Sequence, residues 1–258
     1  MIQDVVQLAN QFISIPTVTS LSNLPIIEHI QTMLEESEWE IERTDYTDRH
    51  GVRKGNIVAK IGAGESGLAF CSHVDTVPGQ EQDWPAFTPE IREGKLYGRG
   101  SCDMKGPLAA TLVAALAIDP QTLKKPIYMV ITADEEWGLE GAKYLAQHSV
   151  MLKNEHIRYG VIAEPTCMVP VYSHKGFCSI NVMAKGKAAH SSTGLGISAL
   201  MKATPFMNDL VEIDQLIQTD SSFLNPLYTP PHHTINFIVD TGEAATNVTA
   251  PFANVKIS

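Results

Sequence analysis

The chain has 258 residues, 44% of them hydrophobic and 19% charged, which is enough apolar side chain for a sizeable core in one domain or two. Its formal charge of −10 speaks against a nucleic-acid partner, because such a partner needs a basic face to displace counterions from phosphates. No apolar run approaches the ~20 residues of a membrane helix, and the opening Met1-Ile2-Gln3-Asp4 lacks the basic-then-apolar layout of a secretory signal, so the expectation is a cytoplasmic metabolic enzyme with no membrane partner.

Val5, Leu8, Ala9, Phe12 and Ile13 recur at helical spacing, and Ile26, Ile27, Ile30, Met33 and Leu34 repeat the pattern after Pro25, predicting two amphipathic helices at the start. Short apolar runs follow at Asn56–Ile61, Gly67–His73, Ile127–Thr132 and Tyr159–Ala163, each bounded by Gly, Pro or charge, as buried strands are. Lys105–Ile118 and Leu139–Gln147 between them read as helices. The alternation predicts a layered α/β fold with helices on the faces of a sheet. Past about Val171 the texture changes to a strand-like Phe177–Ala184, a helix-like Ile197–Leu210, a Pro-rich stretch at 226–231 and strand-like His233–Val239 and Phe252–Ile257. This β-α-β-β run predicts a second, smaller α+β domain, with the boundary placed between residues 1–172 and 173–258. It reads as unfinished, because the chain stops at Ser258 inside an apolar alternation. Cys71, Cys102, Cys167 and Cys178 form no CxxC pair and are read as reduced thiols rather than ligands or a disulfide framework.

Chemistry concentrates at the strand ends. In Phe70-Cys71-Ser72-His73-Val74-Asp75 an extended backbone puts His73 and Asp75 on one side of the strand. A metal-bound imidazole usually donates its second N–H to an acceptor, so His73 as ligand with Asp75 as its supporting carboxylate is one reading, and a buried structural pair is the other. Asp103 follows the glycine-flanked Gly98-Arg99-Gly100-Ser101-Cys102 and directly precedes a helix, where an N-cap is the plain alternative to a ligand. Asp134, Glu135 and Glu136 leave an apolar strand in succession, and like charges this close repel unless a cation offsets them. Glu164 ends a fourth strand. One imidazole and several carboxylates beyond the carboxyl ends of separate strands suit zinc or a related divalent ion, and hence a hydrolase-like site.

At these residues the sequence resembles a known family. His73-Val74-Asp75-Thr76-Val77-Pro78, Leu96-Tyr97-Gly98-Arg99-Gly100 with Asp103-Met104-Lys105-Gly106, Thr132 with Asp134-Glu135-Glu136, and Glu164-Pro165-Thr166 stand in the order and spacing of the M20 metallopeptidases, which include acetylornithine deacetylases, succinyl-diaminopimelate desuccinylases, aminoacylases and carboxypeptidases. Ser173-His174-Lys175-Gly176 and Ala188-Ala189-His190-Ser191-Ser192 are similar to the entry of that family's lid domain, which the resemblance implies is ferredoxin-like, and with Glu164-Pro165-Thr166 they lean toward the acetylornithine deacetylases. The resemblance implies two zinc ions, replaceable by cobalt or manganese, with His73 and Glu164 on one, Glu136 on the other and Asp103 bridging. Asp75 would orient His73, Glu135 would be the general base, and His190 would stabilise the oxyanion, reaching across a homodimer formed through the lid. The implied substrate is a small N-acyl amino acid. Ser72 departs from a glycine usual in the family, as do Ser101 and Cys102 from small residues. The family's last zinc-binding histidine would lie beyond Ser258, so the resemblance further implies a truncated copy that holds one zinc firmly and works poorly. A non-catalytic relative is the other class of reading.

Overall fold

The structure is a computed structural model that describes residues 4–79, 84–242 and 245–258. It divides into two compact units, one running to Val169 and one from Pro170 to Ser258.

The first unit opens with helix α1 (Val5–Ile13), whose N-terminus is capped by the Asp4 carboxylate accepting from the N–H groups of Val6 and Gln7. Helix α2 (Leu24–Glu35) starts with proline in its first turn, where the missing N–H costs nothing. Strands β1 (Glu40–Thr47), β2 (Arg53–Ile61) and β3 (Leu68–His73) follow. A small hairpin of β4 (Glu90–Arg92) and β5 (Lys95–Tyr97) precedes helix α3 (Lys105–Leu116). Strand β6 (Ile127–Thr132), helices α4 (Glu140–His148) and α5 (Val150–Asn154), and strand β7 (Tyr159–Ile162) complete the unit.

The central sheet has the order β1-β2-β6-β3-β7 and is mixed: β1, β2 and β6 pair antiparallel, whereas β6, β3 and β7 run parallel. Its two faces feed different cores. Ile57, Ala59 and Ile61 of β2 pack with Leu8, Phe12, Ile30, Leu34, Leu108 and Leu112 of α1, α2 and α3, whereas Val58 turns the other way, toward Leu145 and Met151 of α4 and α5. Covering both faces makes β2 a nearly unbroken buried run rather than an alternation of apolar and polar.

Two sequence expectations change here. Tyr159–Ala163 was expected as a buried strand, yet β7 is exposed along its length, with Ile162 67% accessible; among the described residues it lies at the sheet edge, paired with β3. Strand β1 was not expected at all: its residues are mostly polar and half-buried, an edge pattern that carries little hydrophobic signal.

The second unit consists of β8 (Ile180–Lys185), the long helix α6 (Ala199–Thr219), β9 (Phe237–Asp240) and β10 (Phe252–Ile257). Its sheet is antiparallel in the order β8-β10-β9. Ala199, Ala203 and Leu210 of α6 pack on Ala253, Val255 and Ile257 of β10. Helix α6 runs two turns past the Leu210 end suggested by periodicity and contains Pro205. No helix among the described residues is long and apolar enough to cross a membrane.

Candidate metal and catalytic site

Parallel pairing brings three strand ends to one edge of the sheet. His73, the last residue of β3, stands opposite Thr132, the last of β6, and Cys71 stands opposite Ile162, the last of β7. The residues just beyond these ends, Asp75, Asp134 to Glu136 and Glu164, therefore emerge together, as expected where an α/β sheet presents a ligand site. Asp103 arrives from the loop before α3. It does not cap that helix: the N-cap is Met104, with no side-chain cap bond, and Asp103 Oδ1 lies 3.0 Å from His73 Nε2.

His73 is the hub. Its Nε2 also lies 3.5 Å from Glu164 and 3.9 Å from Glu135, and its backbone N–H donates to Met104 Sδ. On the other side of the ring, Nδ1 lies 3.0 Å from the Asp75 carbonyl oxygen and 3.4 Å from the Asp75 carboxylate. Burial works against the charged imidazole. The bond to Asp75 and the charges of Asp75, Glu164 and Glu135 outweigh it and push the His73 pKa up to about 9.

The Asp75 carboxylate, almost fully buried, spends most of its bonding elsewhere. It accepts from the Glu135 N–H at 3.0 Å, the Glu136 N–H at 3.2 Å and Thr19 Oγ1 at 3.0 Å. Burial would raise its pKa, but His73 and these two N–H groups hold it below the usual carboxylate range. Asp75 thus ties the orientation of His73 to the placement of the Glu135–Glu136 backbone. That second role is invisible in the spacing of His73 and Asp75.

The remaining carboxyls carry the mark of crowded negative charge. Glu136 and Glu164 are pushed up first by burial and then by Asp103 and Glu135, with His73 pulling the other way. Ligand atoms of His73, Asp103 and Glu164 all lie within 4.8 Å of one another. One imidazole nitrogen with carboxylate oxygens is the donor set a zinc-like cation takes, and a cation among them would relieve the repulsion that raises Glu136 and Glu164. The residues present therefore fit such a group. Glu136 stands outside the three-residue set.

Sequence reasoning missed the scaffold behind this edge. Lys54, fully buried in β2, donates to the carbonyls of Thr19 and Leu21 at 2.6 and 2.8 Å, and its Nζ also lies 2.8 Å from Asp134 Oδ1. That last contact is an ion pair rather than an aligned hydrogen bond, since Asp134 Oδ1 has no hydrogen-bond partner. Tyr46 Oη donates to the other Asp134 oxygen at 2.6 Å, and Asn56 Oδ1 accepts the Ala133 N–H at 2.9 Å. Asp134 itself has a positive φ of 53°, held between these partners. Beneath it α4 comes close: a Cβ on Gly141 would meet the Ala133 carbonyl oxygen at 2.2 Å. The one signal for this network was a lysine and an asparagine, Lys54 and Asn56, at the mouth of an apolar strand.

In the second unit His190 is exposed. Its Nδ1 lies 2.8 Å from Ser192 Oγ and its Nε2 lies 3.4 Å from Asn247 Nδ2. The four cysteines are free thiols.

The sequence profile of peptidase family M20/M25/M40 matches residues 69–253. An acetylornithine deacetylase of Myxococcus xanthus is 35% identical, covering 92% of this chain and 62% of that protein, and one of Proteus mirabilis is 33% identical, covering 95% and 64%. The chain thus spans a little under two thirds of the length of these curated relatives. Among solved structures, a tripeptidase from Staphylococcus aureus matches with a TM-score of 0.65 at 20% identity, covering 100% of this chain and 65% of that one. An M20 family metallo-carboxypeptidase from Sulfolobus solfataricus also gives 0.65, at 15% identity, covering 99% and 70%.

Proposed function

The chain belongs to peptidase family M20/M25/M40, and from that premise we propose that it is a metal-dependent amide hydrolase that removes the acetyl group from an N-acetylated amino acid, N-acetylornithine first. The observation that carries the reading is the meeting of His73 Nε2 with Asp103 at 3.0 Å and Glu164 at 3.5 Å, beside the backbone-anchored Glu135. The names of the relatives at 33–35% identity favour acetylornithine.

In this proposal His73, Asp103 and Glu164 would hold a divalent cation, zinc in the first instance, and Glu136 with Asp103 would help to hold a second. When bound, such ions supply Lewis acidity, making a water more acidic and polarising the amide carbonyl. The chain's own residues do the rest. Asp75 keeps the His73 ring in place and, through the Glu135 N–H, aims Glu135 at the reacting water. Glu135 takes a proton from that water as its oxygen bonds to the acetyl carbon, then gives the proton to the amine nitrogen as the C–N bond breaks. Acetate and a free amine leave, and one water is consumed. His190 donates a hydrogen bond to the oxygen that becomes negative in between; in the family arrangement it comes from the partner in a homodimer.

The test is amine release from N-acetylornithine and N-succinyl-diaminopimelate, before and after chelation. Faster release from the acetyl substrate, lost with the chelator and restored by zinc, cobalt or manganese, is the expected result. Release that survives complete removal of metal, or a preference for the succinyl substrate, would overturn the reading.

A further inference from the structure

Behind the Asp134–Glu136 loop, on the side of β1 and α4, the first unit holds a cavity of about 310 Å³. Tyr46, Arg49, His50, Trp137, Lys143 and Tyr144 supply most of its wall, and none of His73, Asp75, Asp103, Glu135, Glu136 or Glu164 lines it. Its volume lies at the lower end of the range for small-molecule sites, about 300–1,000 Å³, which suits one ring with a substituent.

The wall has a definite chemistry. Tyr144 is stacked on Tyr46 with centroids 4.8 Å apart and on His148 at 4.0 Å; two rings cannot stack on one face, so both faces of Tyr144 are covered and it offers the cavity an edge. Trp137 is approached by the Arg49 guanidinium at 5.7 Å and by the tilted His50 ring at 5.2 Å. Ring edges carry partial positive charge and attract anions or the π face of another ring.

The charges in the wall add up the same way. Asp134 is matched by Lys54 and Tyr46. Asp48 Oδ1 accepts the N–H groups of His50 and Val52 at 2.8 and 2.9 Å, and Lys54 stands 4.0 Å from its other oxygen. Glu140 pairs with Lys143 at 3.0 Å. Arg49 bonds only to the imidazole of His50, at 3.2 Å, with no carboxylate partner among the described residues. A guanidinium left without an acid presents the two-pronged donor that a carboxylate fits.

We propose that this cavity binds a small planar aromatic carboxylate, its ring against the edge of Tyr144 and beside Trp137, and its carboxylate on Arg49. The assignment requires neither the metal nor the catalytic reading. It stands on a different set of residues, and its test needs no turnover.

The experiment titrates benzoate, neutral benzamide and cationic benzylamine into the metal-free protein while amide resonances are followed by NMR. Benzoate is expected to saturate and to move resonances within 46–50 and 137–147. Benzamide should bind about tenfold more weakly, as befits loss of one charge-assisted contact at an accessible site, and benzylamine weaker still. Arg49→Gln should bring benzoate down to the level of benzamide, with Arg49→Lys between the two. His73→Ala should leave benzoate binding unchanged. Equal binding of benzoate and benzamide, indifference to Arg49→Gln in a folded variant, or loss of binding in a folded His73→Ala variant would each overturn the proposal.

Discussion

Two histidines, one in each unit, are placed by opposite means. His73 is 3% exposed, and its ring meets Asp103, 30 positions away, and Glu164, 91 positions away. His190 is exposed, and its closest side-chain partner, Ser192, lies in the same turn. A group that works by sharing charge with several carboxylates has to be assembled by the sheet, because only distant strand ends converge densely enough. In its proposed role His190 is a single donor, which an exposed turn suffices to present.

That contrast breaks most sharply at Glu135. In the proposed role, Glu135→Ala removes the general base while the His73, Asp103 and Glu164 set stays intact, so amide hydrolysis should fall by ~10²–10⁴ with metal content nearly unchanged. Metal analysis beside the amine-release assay checks it; loss of metal together with activity would make Glu135 a ligand.

Lys54 probes the scaffold that separates the two kinds of placement. Lys54→Met leaves Asp134 buried without its ion pair and two carbonyls without a donor, so the first unit should lose about 3–5 kcal/mol in urea unfolding, as breaking buried ion pairs does. A loss under about 1 kcal/mol, the range of exposed pairs, would mean the loop is held by Tyr46 and Asn56 alone.

His190→Ala should lower turnover by about 10² while its unfolding midpoint stays near that of the parent protein, since its side-chain bonds, to Ser192 and Asn247, are solvent-exposed. If the side chain acts across a dimer, mixing this variant with Glu135→Ala should restore part of the activity. Unchanged turnover in His190→Ala would remove it from the mechanism.

The smallest effect sharpens what long-range pairing contributes away from the site. Glu42 in β1 accepts Ser149 Oγ at 2.7 Å and the N–H groups of Val150 at 2.7 Å and Met151 at 2.8 Å, at the start of α5. Burial would raise its pKa, but these bonds and Lys153 hold it below the usual value. Because the folded pKa is the lower one, the stability Glu42 contributes is full above its unfolded pKa of ~4.3 and drains away as pH falls through the folded value. Glu42→Gln should therefore lower stability at pH 7, and the difference from the parent protein should shrink as pH falls below about 5, flattening the acid side of the profile. A profile parallel to that of the parent protein would show that the bonds from α5 are not felt.

Much of the frame was legible from the sequence alone. Apolar runs cut short by Gly, Pro or charge marked β2, β3 and β6, helical spacing marked α1 and α2, and polar residues at or just past the ends of β3, β6 and β7, with Asp103 in the glycine-flanked loop before α3, marked His73, Asp75, Glu135, Glu136, Glu164 and Asp103 as candidates. Those signals are local: periodicity records which face of an element leaves water, and it is written in neighbouring residues. The tertiary structure decided the rest. It turned Asp103 away from the helix it precedes and toward His73, gave the Asp75 carboxylate the backbone of Glu135 and Glu136 as well as the imidazole, and left β7 exposed at the sheet edge. It also buried Lys54 against Asp134 across 80 positions, with Tyr46 on the opposite oxygen. The partner of a polar group is whatever the fold delivers within about 3 Å of it, and strand order, which no single segment encodes, makes that delivery.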